Sequence, residues 1–288
     1  MTVQTLAPVE GNVQYLDGGA MYGNCPKPVW ERWSPPDARN RIRLACRAML
    51  VVLEDGRRVL LEAGIGTFFE PKLRDRFGVD EQEHVLLQSL AAHGLAHDDI
   101  DVVVLSHLHF DHAGGLLSAW AEGQESRLLF PKARFVVGEE AWDRARHPHA
   151  RDKASFIPTL NAQLEASGRL EVVTSTTTPS LPADLFTFSR SDGHTPGLLL
   201  TRVVGPQGPV TFVADLIPGA PWVHLPITMG YDRFPERLIE EKRELLLRVV
   251  AEDGWLFFTH DPRVVQAKVK HEDGRFSAVD LQVLSSAS

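Results

Sequence analysis

Ser106-His107-Leu108-His109-Phe110-Asp111-His112-Ala113-Gly114-Gly115 is the stretch on which the reading of this chain turns. The run before it, Asp101-Val102-Val103-Val104-Leu105, is short, apolar and β-branched. It reads as a buried strand. The glycine pair and Leu116-Leu117-Ser118-Ala119-Trp120 read as a turn opening into a helix. Four metal-capable side chains therefore sit on a tight loop just past a strand end. Packed this densely, the imidazoles repel one another once protonated, and a divalent cation is what neutralises and orders them. His107 and His109, two apart, can face one ion. Asp111 and His112 continue the turn toward a second.

Three further stretches end apolar runs on a side chain that can bind metal. These are Gly193-His194-Thr195-Pro196-Gly197, Val213-Ala214-Asp215 and Phe257-Phe258-Thr259-His260-Asp261. Taken singly, His194 or His260 is best read as a hydrogen-bonded core histidine. Beside the first cluster, the ligand reading is the stronger one, because strand ends from separate parts of a chain can converge at one sheet edge.

His-x-His-x-Asp-His after an apolar strand resembles the signature of the metallo-β-lactamase superfamily. The later landmarks resemble that superfamily's third histidine motif, bridging-aspartate strand and last ligand strand, over roughly residues 45 to 265. Periodicity alone yields only a layered mixture of helix and strand. The resemblance implies an α+β, αβ/βα sandwich, two face-to-face mixed sheets with helices outside, as a single domain over residues 1–288. It also implies the ligand sets. His107, His109 and His194 hold one ion, Asp111, His112 and His260 the other, and Asp215 bridges them. Five imidazoles and two carboxylates suit two zinc ions, though manganese, iron or cobalt suit N/O donors too. Asp111 and Asp215 are the catalytic candidates. Glu62 falls where this superfamily often has an aspartate that fixes a ligand histidine.

Three details narrow the class the resemblance implies. Position 109 is a histidine, not the carboxylate of the diiron redox members, which favours hydrolysis. Asp215 supplies the bridging carboxylate that the true β-lactamases of this fold lack. The best-known acyl-homoserine lactonases carry a tyrosine three residues after that aspartate, and here the position is Pro218. Tyr22 or Tyr231 is the substitute to look for. The resemblance points to the branch of quorum-quenching lactonases and methyl-parathion-type hydrolases. A lactonase is thus the leading expectation. A phosphotriesterase or phosphodiesterase is the second, and a metal-containing ligand-binding effector with little turnover the third. A glutathione-thioester hydrolase is disfavoured by the lack of a basic cluster near the C-terminus.

The 288 residues suffice for one large domain. A net charge of -8 argues against a nucleic-acid backbone as partner. With no run of Lys or Arg at the ligand motifs, it points to a neutral, partly apolar small-molecule ester. No stretch approaches the ~20 apolar residues of a spanning helix, and the N-terminus lacks the features of a signal peptide. With two cysteines, Cys25 and Cys46, the cytoplasm is the expected compartment. No membrane partner is expected, and a homodimer is allowed.

Residues 18–40, rich in proline and carrying Met21, Tyr22, Trp30 and Trp33, read as a loop that lines the cleft or forms a subunit contact. Phe68, Trp222, His224 and Tyr231 are the candidate substrate contacts. Residues 43–63 read as a hairpin about Asp55-Gly56, and Asp80 to Ala92 as a helix with Asp80 as N-cap. Pro235 to Glu252 reads as an amphipathic helix. His84, His93 and His97 read as surface histidines rather than ligands, and His147 and His149 as part of a solvated loop.

Overall fold

The computed structural model describes residues 1–284. Its first sheet contains β1 (Val3–Val9), β4 (Ala48–Leu53), β5 (Arg58–Leu61), β6 (Val102–Leu105), β7 (Arg134–Gly138) and β8 (Leu170–Val173), paired in that order. A small ribbon of β2 (Gln14–Asp17) and β3 (Arg41–Leu44) lies apart from it. The second sheet runs in the order β14 (Arg275–Val283), β13 (Val264–Glu272), β12 (Trp255–Phe257), β11 (Gly208–Phe212), β10 (Leu198–Gly205) and β9 (Phe186–Ser191).

Both sheets are mixed. β5, β6, β7 and β8 pair in parallel, and β1, β4 and β5 antiparallel. In the second sheet only β11 and β12 are parallel. The central strand β6 is four consecutive apolar residues, all buried. That is what a strand covered on both faces requires.

Alternation along the strands separates two cores. Met49, Val51, Leu61, Val102 and Val104 pack with Phe186, Leu198, Phe212 and Phe257 between the sheets. Leu50, Leu60, Val103 and Leu105 turn the other way, against Leu86, Leu90, Trp142, Leu160 and Leu164. These last come from α4 (Val85–Ala92), α6 (Glu139–Arg146) and α7 (Pro158–Ala166). On the second sheet, α8 (Pro235–Ala251) buries Leu238, Leu245, Leu246 and Val249. The expected αβ/βα sandwich is therefore the fold.

Three local expectations are corrected. Residues 18–40 are not all loop, because α1 (Gly18–Tyr22) and α2 (Lys27–Trp30) form within them. α4 begins at Val85 rather than Asp80, and its first N–H is capped from a distance by the Asn12 side chain at 3.1 Å. Glu81 is drawn instead to the Val13 N–H at 2.9 Å. Gly114–Leu116 is a single 3-10 turn and no helix follows it. Two other short helices, α3 (Pro71–Phe77) and α5 (Phe110–Ala113), flank the site.

Candidate metal centre and its cavity

The functional side chains all stand at one edge of the sandwich, just past strand ends. β6 delivers His107 through His112, with α5 as one helical turn carrying Asp111 and His112. The β9–β10 loop delivers His194, β11 leads to Asp215, and β12 leads to His260. Close packing explains the glycine pair after the motif. A Cβ on Gly115 would lie 1.9 Å from the Ala63 carbonyl oxygen, so only glycine lets the loop seat against residues 63–66. Two residues next to the motifs, Glu62 and Ala214, have φ of 72° and 43°. Left-handed backbone at non-glycine residues is costly and concentrates where side-chain placement matters.

The metal-capable atoms converge in two groups. His107, His109, His194 and Asp215 offer ligand atoms within 4.8 Å of one another, and so do Asp111, His112 and His260. Asp215 serves both groups. Its Oδ2 lies 3.1 Å from His194 Nε2 and its Oδ1 3.1 Å from His260 Nε2. All seven residues gathered from the sequence thus meet in one place.

His260, His194, His112 and Asp111 are each held from behind. His260 Nδ1 donates to the Ala45 carbonyl at 2.7 Å. His194 Nδ1 lies 2.9 Å from Asp232 Oδ1. His112 Nδ1 lies 3.1 Å from Glu62 Oε2, while Glu62 Oε1 accepts the Ser106 N–H at 2.6 Å. Gln14 Nε2 donates to Asp111 Oδ2 at 2.7 Å. With Nδ1 engaged, each of these imidazoles turns the Nε2 lone pair inward.

Metal ions fit this donor set. His260 Nε2 and His112 Nε2 face each other at 3.3 Å, and His194 Nε2 faces His109 Nδ1 at 3.4 Å. Facing lone pairs repel unless a proton or cation lies between them. His107 Nε2 and Asp215 Oδ1 are buried without a hydrogen-bond partner. The electrostatics suit a site that binds cations. Burial, then the neighbouring imidazoles, hold His107 and His109 well below the usual histidine range. For His112 and His260 burial pulls down, but the carboxylates, Asp215 foremost, outweigh it and raise both. Burial would raise Asp215, yet the three histidines His112, His194 and His260 carry it well below the carboxylate range.

The site opens into a cavity of about 500 Å³. His109, Asp111, His194, Asp215 and His260 form its floor, and Phe77, Phe110, Met229 and Tyr231 part of its wall. Of the four candidate substrate contacts, only Tyr231 lines it. Burial first, then the Asp111 and Asp17 carboxylates, raise its phenol above the usual range, so it stays protonated.

The other three candidates are corrected. Trp222 is buried, stacks on Tyr22 at 4.4 Å and donates to the Met21 carbonyl, so it is core. His224 stacks on Trp33 at 5.6 Å in a separate depression. Phe68 packs on Phe69 in the outer core, where Gly114 leaves it room. Tyr22 cannot replace the lactonase tyrosine, because its ring is buried between Trp30 and Trp222 and its hydroxyl meets Ser34.

Asp232 and Gln14 escaped the sequence reading. Each sits far along the chain from the residue it supports, and no spacing links Asp232 to His194. No run of Lys or Arg borders the ligand motifs in the sequence, yet the folded cavity carries cations. Arg39, Arg41, Arg76, Arg151 and Arg233 line the cavity, brought there from segments remote from the ligand motifs.

Residues 41–260 match the family model of the metallo-β-lactamase superfamily. The chain belongs to that superfamily, and it is a metal-dependent hydrolase with a site for two ions. A probable metal-dependent hydrolase from Staphylococcus aureus superposes with a TM-score of 0.85 at 27% identity, covering 100% of this chain and 99% of that one. AidC, a dizinc quorum-quenching lactonase crystallised with N-hexanoyl-L-homoserine, gives a TM-score of 0.72 at 20% identity, with 97% and 95% of the two chains covered. An N-acyl homoserine lactonase from Bacillus sp. is 28% identical over 145 residues. That match covers 49% of this chain and 48% of the relative, about half the length of each. Among the described residues no helix is long and apolar enough to cross a membrane.

Proposed function

We propose that this enzyme hydrolyses carboxylic esters of small molecules, lactones foremost, with zinc in both clusters. One observation carries the acyl chemistry. Tyr231 presents a protonated phenol on the wall of the cavity whose floor is Asp111, Asp215 and the histidines. That group is the kind of donor a carbonyl oxygen needs as negative charge develops on it. It answers the loss of the lactonase tyrosine at Pro218.

His107, His109, His194 and Asp215 would hold one ion, and Asp111, His112, His260 and Asp215 the other. Bound there, divalent ions supply a water-derived nucleophile at neutral pH and polarise the carbonyl. The rest falls to the chain. Tyr231 Oη donates to the carbonyl oxygen and orients the ring for attack. Asp111, steadied by Gln14, is the carboxylate placed to take the proton released by the attacking water and pass it to the departing alkoxide. Phe77, Phe110 and Met229 exclude bulk water from the reacting carbon. The neighbouring lactonases support this reading, and the two unpaired cysteines agree with a reducing cytoplasm.

The test is a substrate panel on zinc-replete protein. Lactones of several chain lengths should give the highest kcat/KM, a neutral phosphotriester less, and a cephalosporin least. A phosphotriester or β-lactam turned over faster than every lactone and ester overturns the acyl-ester reading and leaves the metal site standing.

A further inference from the structure

We propose that the ester this cavity accepts carries a carboxylate remote from its scissile bond, and that Arg151 and Arg233 bind it. The inference rests on the ester-hydrolase reading and adds the substrate's charge.

The chain is acidic, with a net charge of -8, yet five arginines line one cavity of about 500 Å³. They come from four stretches of the chain, Arg39 and Arg41 sharing one, so the sequence shows no basic run at the ligand motifs. Folding alone concentrates them. The only acid on the wall besides the floor carboxylates is Asp17. Its oxygens are already engaged by the Ala20 N–H at 2.8 Å and the Asn40 side chain at 2.9 Å.

The partners of the arginines differ. Arg41 is committed to Asp37 at 2.8 Å. Arg233 has no such counter-ion. Its Nε and Nη2 both donate to the Tyr231 carbonyl, and its Nη1 is buried without a partner. The acids near it are taken. Asp152 accepts from Arg144 at 2.7 Å. Asp232 faces His194 and accepts the Met229 N–H at 2.6 Å. Arg151 donates to the Gly230 carbonyl at 2.9 Å. Burial, then the nearness of Arg151, lowers the Arg233 pKa.

Arg233 is half-buried and Arg151 exposed at the cavity mouth, and both guanidinium groups are held by carbonyls rather than carboxylates, so their positive charges are not neutralised by the chain. A substrate carboxylate would neutralise those charges and accept the guanidinium hydrogens that the Tyr231 and Gly230 carbonyls leave over. The floor carboxylates do not compete, because metal ions consume their charge. Anchoring the far end of the substrate at Arg151 and Arg233 would bring its carbonyl over the floor beside Tyr231.

The test compares three esters of equal length on zinc-replete enzyme: the mono-p-nitrophenyl ester of adipic acid, p-nitrophenyl hexanoate and p-nitrophenyl 6-aminohexanoate. Apolar contacts alone would favour the hexanoate. The proposal requires the reverse, with kcat/KM for the adipate ester at least about tenfold above the hexanoate and the amino ester lowest. Raising the salt should shrink the adipate advantage. In the Arg151→Gln, Arg233→Gln double variant the adipate-to-hexanoate ratio should fall toward one. The ratio, not the absolute rate, is the readout, and the salt series on the unaltered enzyme decides the question even if the variant misfolds. A hexanoate rate equal to or above the adipate rate overturns the proposal and leaves the ester-hydrolase reading intact. No turnover of any of the three, nor of any lactone, removes the ester reading and this inference with it.

Discussion

The floor and the wall of the cavity are built on different terms. The ligand side chains are buried, and four of them have a polar group behind them: Ala45 for His260, Asp232 for His194, Glu62 for His112 and Gln14 for Asp111. Those partners are themselves buried, and Glu62 is bonded onward to the Ser106 N–H. Wall residues such as Tyr231 and Arg233 are only partly buried, and Arg233 leans on a backbone carbonyl. A reaction needs its ligands held to within a fraction of an ångström, and doubly anchored buried groups provide that. A substrate pocket needs shape and charge, which side chains on loops supply and can exchange. Changes to the floor should therefore appear in metal content, and changes to the wall in kcat/KM at full metal content.

The largest effect is expected at Asp215, the one carboxylate within 3.1 Å of both an upstream and a downstream ligand histidine. Asp215→Ala should lower turnover by orders of magnitude and leave elemental analysis below two ions per chain. Two retained ions with near-normal turnover would show that Asp215 bridges nothing.

One step back from the floor, Asp232→Ala removes the acceptor that turns His194 and also frees the Met229 N–H. Loss of such a support typically costs about 10–100-fold in metal affinity or activity. The competition to use is a chelator titration, which reads affinity without reference to turnover. An unchanged titration curve would mean that packing alone fixes His194.

On the wall, Tyr231→Phe deletes one hydroxyl and little else. A single neutral hydrogen bond is worth roughly tenfold in rate. The expected result is a fall of about that size in kcat for lactones, with two ions per chain retained. A drop in metal content in this variant would erase the distinction between wall and floor.

Much of the floor was legible because it is local. His107, His109, Asp111 and His112 lie within one turn, and the strand that aims them is an unbroken apolar run. His194, Asp215 and His260 were legible because each terminates such a run. The wall was not legible, because it is assembled from tertiary contacts. Arg39 precedes and Arg41 opens β3, Arg76 lies in α3, and Arg151 and Arg233 sit in irregular segments. Nothing in their spacing says that they meet. Trp222 and His224 misled for the same reason. An aromatic, proline-rich segment next to Asp215 can face the cavity or the core, and Tyr22 decides it by stacking on Trp222. The start of α4 was misplaced because its cap is Asn12, 73 residues upstream.

The smallest effect is expected at His147, whose spacing from His149 imitates a ligand pair. Among the described residues, His147 and His149 belong to no group of three converging ligand atoms. His147 Nδ1 lies 2.9 Å from Asp143 Oδ1, and both side chains are mostly exposed, at 68% and 71%. An ion pair in that setting is screened by water and salt and holds little in place. His147 also lies outside the residues that line the reactive cavity. His147→Ala should thus leave metal content at two ions and change kcat/KM by less than about twofold, within the scatter expected of surface substitutions. The comparison is strict, because His147 and the floor histidines share chemistry and differ only in burial and in the partners behind them. A loss of metal or of rate at His147 comparable to that of Asp215→Ala would show that the ions are held elsewhere, and the division between anchored floor and exchangeable wall would fall with it.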